Sequence, residues 1–171
     1  MTQLIYNGSL AQIIQDPGIR AGDRILVRAG TYTDDFVCSL NGGEDGIIIM
    51  PYQNERVVID GSLIASGVNV TWMGFEILYS GWTTRRTEKT GSNPSDMPTN
   101  KTLTIKGTGN KLVNCIIHDL IGSSNMAEAL ESKLYGCFIY YIGWSAPDRG
   151  HGHGIYVQND TPIKIIKDCI I

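Results

Sequence analysis

The second half of the chain repeats one short segment three times. Residues 110–120 read NKLVNCIIHDL, residues 132–142 read SKLYGCFIYYI, and residues 163–171 read IKIIKDCII. Alignment on cysteine gives three apolar columns, and residues 70–77 fit the same frame through Trp72, Phe75 and Ile77. The columns are Leu112, Leu134 and Ile166, then Cys115, Cys137 and Cys169, then Ile117, Ile139 and Ile171. A short unit that recurs with loop-sized insertions is typical of a solenoid, in which each repeat stacks on the next.

Each repeat is predicted to consist of short β-strands. Apolar residues alternate in β-rich runs, which favours strands over a pair of helices. A turn column follows, composed of Gly74, Asn114, Gly136 and Asp168. A coil of about 22 residues that holds several short strands is the unit of a parallel β-helix. We therefore predict an all-β fold, a single-stranded right-handed parallel β-helix that forms one domain over residues 1–171.

The two ends of the predicted solenoid differ. Residues 1–20 should cap the first coil, because Ser9 suits a helix N-cap and Leu10, Ile13 and Ile14 share one helical face. No comparable segment follows Ile171, which lies within an apolar strand. We expect this C-terminal coil to be uncapped, either because the chain is a truncated piece of a longer protein or because another copy covers it. The second alternative predicts a homo-oligomer assembled through the open coil.

Two segments interrupt the repeat and are predicted to be loop insertions. Residues 80–100 are polar and carry Arg85 and Arg86, and residues 144–154 read WSAPDRGHGHG. Long loops on a regular scaffold often carry function. The alternative for residues 80–100 is a solvated loop.

Charge and hydropathy exclude two classes of partner. The formal net charge is −3 and no basic block occurs, so a phosphate-neutralising patch for nucleic acid is not predicted. No apolar run approaches the roughly 20 residues needed to span a membrane, so no membrane partner is expected. The N-terminal residues show no signal peptide.

The four cysteines predict neither zinc nor an obligatory disulfide. No CxxC pair occurs, and three of the four cysteines share one repeat column. We predict a ladder of buried thiols that act as small apolar side chains. A disulfide between neighbours in the ladder is geometrically conceivable, because stacked coils lie about 4.8 Å apart.

The segment RGHGHGIYVQN is the strongest candidate for a binding surface. If its apolar residues point inward, Tyr156 points to solvent, and Glu128 on the neighbouring coil could lie beside it. Arg149, His151 and His153 would complete a polar and aromatic wall that suits sugar rings and carboxylates. The alternative is that the glycines shape a tight turn and the histidines cap backbone groups. No metal site is predicted, since the two histidines supply two ligands without an evident third.

Residues 3–78 resemble the opening of chondroitinase B and the related alginate lyases. The resemblance rests on a cap helix followed by GDRILVRAGTY, GIIIMPYQNERVVIDG and VNVTWMGFEIL. It implies a polysaccharide lyase scaffold in which a Lys and an Arg transfer protons and a calcium ion neutralises a uronate carboxylate. The nearest parallel here is Glu128, Glu131 and Lys133, followed by Arg149 and His151. The family's Arg-His pair is split here by a glycine.

Two functions follow from these observations. The first is a β-helix of the polysaccharide lyase type that engages an acidic polysaccharide, or an N-terminal fragment of one. Its catalytic candidates are Lys133, Arg149 and His151, and its substrate-binding candidates are Glu128, Tyr156, His153, Arg85 and Arg86. The second is a structural, self-assembling module of a fibre or phage tail without catalysis. Both predict an extracellular or virion-associated protein, with calcium as the only cofactor that the resemblance suggests.

Overall fold

The computed structural model describes residues 2–6, 8–82, 97–126, 128–158 and 163–171. The helical elements are one α-helix, α1 (Leu10–Ile13), and one 3₁₀ turn (Tyr52–Asn54). The strands of the first half are β1 (Gln3–Tyr6), β2 (Arg24–Val27), β3 (Gly30–Thr33), β4 (Phe36–Cys38), β5 (Ile47–Pro51), β6 (Val57–Asp60), β7 (Leu63–Ala65), β8 (Val70–Met73) and β9 (Glu76–Leu78). Those of the second half are β10 (Leu103–Ile105), β11 (Gly107–Thr108), β12 (Lys111–Val113), β13 (Ile116–His118), β14 (Ser124–Asn125), β15 (Ala129–Leu130), β16 (Lys133–Tyr135), β17 (Phe138–Tyr140), β18 (Trp144–Ser145), β19 (Gly150–His151) and β20 (Ile165–Lys167).

Most strands stack into three parallel sheets. Sheet A has the order β1-β2-β5-β8-β12-β16-β20, sheet B has β3-β6-β9-β13-β17, and sheet C has β4-β7-β10-β14. From β2 onward the chain visits A, B and C in turn, so each strand pairs with strands of the preceding and following repeats. The short strands β11 and β15 also pair in parallel, whereas β18 and β19 form an antiparallel hairpin. The chain is therefore an all-β parallel solenoid, as the repeat predicted.

The pairing register confirms the predicted columns. Leu112 lies opposite Trp72 on one side and Leu134 on the other, and Leu134 lies opposite Ile166. Ile117 likewise lies between Ile77 and Ile139. Most inward positions in the three sheets are buried and form one continuous core, whereas Ile166 in the last strand of sheet A is 40% exposed. Because side chains alternate along a strand, this register keeps the same residue class inside through every repeat.

Residues with positive φ form two columns, one before and one after the strands of sheet A. The predicted turn column follows its strands, and φ is +77° at Gly74, +51° at Asn114, +60° at Gly136 and +56° at Asp168. A second column, which the repeat analysis did not identify, precedes the strands at Gly22, Gly46, Asn69, Gly109 and Glu131, all with positive φ. Glycine and asparagine adopt this conformation most readily, which explains their recurrence. At Gly136 a Cβ would lie 2.4 Å from Oδ1 of Asn114, so the Asn114 side chain would have to shift to admit a larger residue.

A buried asparagine holds one of these turns to its neighbour. Asn110 is completely buried, and its Oδ1 accepts a hydrogen bond from the Val70 amide at 3.0 Å. Its Nδ2 donates to the carbonyl oxygens of Gly67, at 2.7 Å, and of Lys106. The side chain thus pairs polar backbone groups that would otherwise be buried without partners.

The N-terminal segment agrees with the prediction in its burial and differs in its detail. Leu10, Ile13 and Ile14 are buried, and α1 packs near β4. The Ser9 side chain makes no capping hydrogen bond, although its carbonyl accepts bonds from Gln12 and Ile13. Strand β1, which was not predicted, precedes the helix and extends sheet A by pairing with β2.

The last described coil exposes apolar side chains, as expected. Ile163, Ile170 and Ile171 are 77%, 68% and 66% exposed. Of the two insertions, residues 144–154 contain the hairpin β18–β19, and much of 80–100, with Arg85 and Arg86, lies outside the described residues. Within the described part of the chain, no helix has the length and apolar character needed to cross a membrane.

Replacing Asn110 with alanine should destabilise the fold by roughly 2–4 kcal/mol, because the Val70 amide and the Gly67 carbonyl would lose a buried partner. Chemical denaturation measures the change. Asn41→Ala is the matched control, since Asn41 is exposed and its Oδ1 accepts one turn hydrogen bond from Gly43. Equal losses in the two variants would contradict the role assigned to Asn110.

Candidate functional site

The outer face of sheet C bears a cleft of about 540 Å³, here called the sheet C cleft. Thr102, Thr104 and Asn125 line it from the sheet, with Thr104 and Asn125 in adjacent paired strands. The Thr102 and Thr104 hydroxyl oxygens lie 3.2 Å apart. Its remaining lining residues are Thr99, Gly122, Ser123, Trp144, Arg149, Gly150, His151, Gly152 and His153. The cleft therefore presents mostly hydroxyl, amide and imidazole groups.

The hairpin β18–β19 forms the wall that stands over this face. Trp144 pairs with His151 and Ser145 with Gly150, and the Ala146 amide donates to the Arg149 carbonyl at 3.1 Å. Two left-handed glycines meet at its base, where a Cβ on Gly152 would lie 2.5 Å from Cα of Gly143. This close approach accounts for one glycine of the RGHGHG segment.

An aromatic stack and a small apolar cluster anchor the hairpin. The Trp144 and His151 rings are 4.8 Å apart between centroids and nearly parallel, at 14°. Trp144 packs with Met97 and Ile121 in a cluster separate from the main core. Its indole Nε1 is buried and has no hydrogen-bond partner among the described residues. The hairpin is thus held by side-chain packing and does not depend on its two short strands alone.

The two predicted histidines of the hairpin segment have different environments. The His151 side chain is only 3% exposed, and its Nε2 lies 3.2 Å from Oδ1 of Asp148. His153 is exposed, its amide donates to the Ser123 hydroxyl at 3.0 Å, and its ring lies 5.5 Å from that of Tyr156. His151 therefore supports the wall, and His153 lies at the open side of the cleft.

A second cavity of about 230 Å³ continues the cleft along sheet C. It shares Thr104 and Asn125 with the first, and Lys106 and Glu128 line its far side. Nζ of Lys106 lies 3.3 Å from Oε2 of Glu128. The two cavities together form an elongated groove with an arginine near one end and an ion pair near the other.

An ion pair lies at the margin of the same face. Nζ of Lys101 is 2.7 Å from Oδ1 of Asp35, which also accepts a hydrogen bond from the Ser62 amide. Burial raises the pKa of Asp35, but the hydrogen bonds from Lys101 and Ser62 outweigh it and lower the pKa overall. Asp35 is therefore kept ionised, and it neutralises Lys101 next to the threonines of the cleft.

The structure brings together part of the predicted site. Arg149, His151 and His153 line the sheet C cleft. Tyr156 lies next to the cleft, because its backbone pairs with that of Asn125, which lines it. The Tyr156 side chain is 40% exposed, as predicted. Glu128 was expected beside Tyr156 but lies across the groove in its pair with Lys106, and residues 124–125 occupy the expected place.

The predicted catalytic set is not assembled in one place. Lys133 lies in β16 of sheet A and lines a separate cavity of about 570 Å³ with Lys111, Glu131 and Ile165. Arg149 and His151 lie on the hairpin over sheet C. Arg85 and Arg86 fall outside the described residues, so their predicted binding role is untested.

The donor groups do not fit the calcium that the resemblance implies. Across the described ranges, no group of three or more His, Cys, Asp or Glu side chains is placed to hold a metal ion. Asp148 is near His151 and Arg149, and Glu128 is paired with Lys106. No step of a reaction is therefore assigned to a calcium ion at the cleft.

The third histidine of the chain lies on a different face. His118, on the outside of sheet B, stacks on Tyr140 with centroids 4.8 Å apart. Its Nδ1 lies 2.6 Å from Asp119 and its Nε2 lies 3.1 Å from Glu76. The hydrogen bond from Arg56 lowers the pKa of Glu76; burial opposes this shift and the bond to His118 adds to it.

The sequence analysis missed the polar residues that sheet C contributes. Thr102 and Thr104 flank inward-facing Leu103 in the run KTLTIK, so strand alternation would have placed both outside. Ser123 and Asn125 flank buried Ser124 in the same way. The repeat alignment did not identify them because it was anchored on sheet A and the cysteine column.

No protein-family model, curated protein or solved structure matches this chain.

Gly152→Ala should displace the hairpin, since the added methyl would meet Cα of Gly143 and Gly152 has a φ of +81°. We expect a weaker near-ultraviolet dichroism signal from Trp144 and faster proteolysis within residues 144–154. Gly150→Ala is the matched control, because a Cβ there would meet nothing within 4 Å. Unchanged proteolysis in Gly152→Ala would count against the anchoring contact.

Proposed function

We propose that this chain is a right-handed parallel β-helix whose sheet C cleft binds an acidic polysaccharide, on a scaffold of the polysaccharide lyase type. The observation that carries the proposal is the composition of the groove. Hydroxyl and amide side chains and one apolar residue, Ile64, line its sheet side, and Arg149, which lines its wall, supplies a positive charge. An elongated groove with hydrogen-bonding groups along its length suits a chain of linked sugars better than a compact ligand.

Three kinds of contact support binding of a uronate chain. The guanidinium of Arg149, whose side chain is 65% exposed, can pair with a sugar carboxylate in two parallel hydrogen bonds. Thr104 and Asn125 can bond to sugar hydroxyls from the sheet. Tyr156 and His153 offer ring faces at the open side, where a sugar ring can stack.

We propose that the cleft binds the polysaccharide, and we assign no catalytic step to it. A lyase needs a base that removes the proton α to the carboxylate and a cation that stabilises the enolate. Arg149 suits the second role, while Lys133 lies in another cavity and His151 is stacked and buried. Lyase chemistry at Lys133, Arg149 and His151 therefore stays a prediction of the resemblance.

A second candidate function is self-assembly. The exposed isoleucines of the last described coil, together with the edge of β20 that pairs with no described strand, offer an apolar surface and an unpaired strand edge. Another copy of the chain could cover both at once by stacking end to end. This alternative describes a structural module of a fibre or phage tail, and both candidates place the protein outside the cell or on a virion.

Arg149→Ala and Tyr156→Ala should each weaken binding of a uronate oligosaccharide about tenfold or more, which corresponds to a loss of about 1.4 kcal/mol. Isothermal titration calorimetry at low salt measures the change. Arg56→Ala and Tyr141→Ala are matched controls on the outside of sheet B, and both should bind like the parent. Parent protein that binds no uronate oligosaccharide would overturn the proposal and favour the assembly alternative.

If the chain assembles through its last coil, Ile170→Lys combined with Ile171→Lys should shift it toward monomer, because each lysine would have to be desolvated in the interface. Size-exclusion chromatography with light scattering reports the mass. A parent that stays at the monomer mass of 18.8 kDa at high concentration would rule out assembly through this surface.

A further inference from the structure

The cysteine column places three thiols in adjacent rungs of the solenoid. Cys115, Cys137 and Cys169 each follow a left-handed residue of the same turn column. Backbone bonds fix their alignment on both sides. The Gly136 amide donates to the Lys167 carbonyl at 3.1 Å, and the Ile170 amide donates to the Cys137 carbonyl at 3.0 Å. Neighbouring parallel strands lie about 4.8 Å apart, within the Cα separations of about 4.4–6.8 Å that disulfides span.

The three thiols differ in their access to solvent. Cys115 and Cys137 are each 1% exposed, and their thiols donate to backbone carbonyls within the core. Cys169 is partly exposed, and its thiol donates to the Lys167 carbonyl at 3.3 Å. The Cys137 thiol contacts both of the others. In the part of the chain that the structure describes, Cys169 is therefore the member of the column most open to a small oxidant, and its immediate neighbour in the column is Cys137.

Ionisation distinguishes Cys137 within the column, whereas burial raises the pKa of Cys169, which takes part through its access to solvent. A hydrogen bond with the Cys115 thiol lowers the pKa of Cys137 to about 7, whereas the same bond and burial raise the pKa of Cys115. Burial also raises the pKa of Cys38, to about 11, and Cys38 lies outside the column. The thiolate is the reactive form of cysteine, so Cys137 is the buried thiol best prepared to react.

We propose that Cys137 and Cys169 form a disulfide when the protein meets a small-molecule disulfide, and that this bond fastens the last described coil to the one before it. The Cys169 thiolate attacks one sulfur of the oxidant and releases the first small thiolate. The Cys137 thiolate then attacks Sγ of Cys169 and releases the second. Two protein thiols are oxidised, the small disulfide is reduced to two thiols, and the two cysteine protons pass to the leaving thiolates.

The position of the bond gives it a structural consequence. The last described coil exposes Ile163, Ile170 and Ile171 and has a neighbour in sheet A on one side only. A covalent link from Cys169 to buried Cys137 would restrict the opening of this coil. The bond would thus act at the end of the described solenoid, where sheet A has a neighbouring strand on one side only, independently of any ligand in the sheet C cleft.

The test is to treat the native full chain with glutathione disulfide, quench with acid, alkylate in denaturant and map the peptides by mass spectrometry. We expect one linked peptide pair that joins Cys137 to Cys169, while Cys38 and Cys115 are recovered alkylated. The oxidised protein should melt several degrees higher than the reduced protein and should be restored by dithiothreitol. Cys169→Ser should abolish both the link and the shift in melting temperature.

Three results would overturn the proposal. The first is a link between Cys115 and Cys137, which would show that access does not select the pair. The second is a stable glutathione adduct on Cys169 with Cys137 still alkylated, which would show that the two sulfurs cannot meet. The third is recovery of all four thiols after prolonged oxidation. Because the mapping is done on the unmodified chain, it decides the question even where Cys169→Ser folds poorly.

Discussion

In-register parallel pairing between successive repeats is the interaction on which the rest of this structure depends. A strand such as β12 bonds to β8 on one side and to β16 on the other, and the same three residues of each repeat meet in every pairing. A slip of one residue would turn Leu112 outward and Lys111 inward, which places a charge in the core. The apolar pattern therefore enforces the register, and the register in turn brings the turn residues into columns. Backbone polarity is satisfied by the same arrangement, with Asn110 serving the turns that the strands cannot reach.

The candidate site exists because β10 and β14 of the solenoid present polar residues outward and because Thr99 and the hairpin of residues 144–154 border them. Strands β10 and β14 of sheet C present Thr104 and Asn125 outward, whereas Val37 and Ile64 occupy the same column in β4 and β7. The hairpin adds Arg149 and the two histidines. The wall is rigid where Trp144 stacks on His151 and where Gly143 meets Gly152. In many proteins a regular scaffold positions loops, and the loops carry the functional groups. Because a fold does not by itself imply a function, the chemistry of the cleft has to be argued from its own residues.

The cysteine column shows how the same register gives a chemical property to side chains that serve first as packing. Each thiol fills a small inward position and bonds to nearby carbonyls, which is a sufficient reason for cysteine there. Stacking nevertheless brings the three sulfurs into contact, and their burial decreases toward the last described coil. Reactivity then follows position along the stack, because access and ionisation differ among otherwise equivalent rungs. The sheet C cleft and the column are separate features, so a ligand in one places no demand on the other.

The sequence by itself determined the scaffold. Repetition fixed the fold class, the inward columns, the turn column at Gly74, Asn114, Gly136 and Asp168, and the buried face of the N-terminal helix. These features are periodic, and each repeat supplies an independent reading of the same pattern. The second left-handed column could have been found in the same way, but it mixes glycine with Asn69 and Glu131, which sequence patterns do not link.

Only the tertiary structure decided which polar residues share the site. The resemblance grouped Lys133 with Arg149 because of their order along the chain. Each coil passes through three sheets, however, and Lys133 and Arg149 line cavities on different sheets. His151 and His153 are alternate residues that differ in burial because a hairpin, and not a regular strand, holds them. Glu128 forms an ion pair with Lys106 and does not pair with Tyr156, because residues 124–125 occupy the rung beside Tyr156. The physical reason is common to all three cases. A period predicts which way a strand residue points, but the path of an insertion is set by long-range packing that no local pattern encodes.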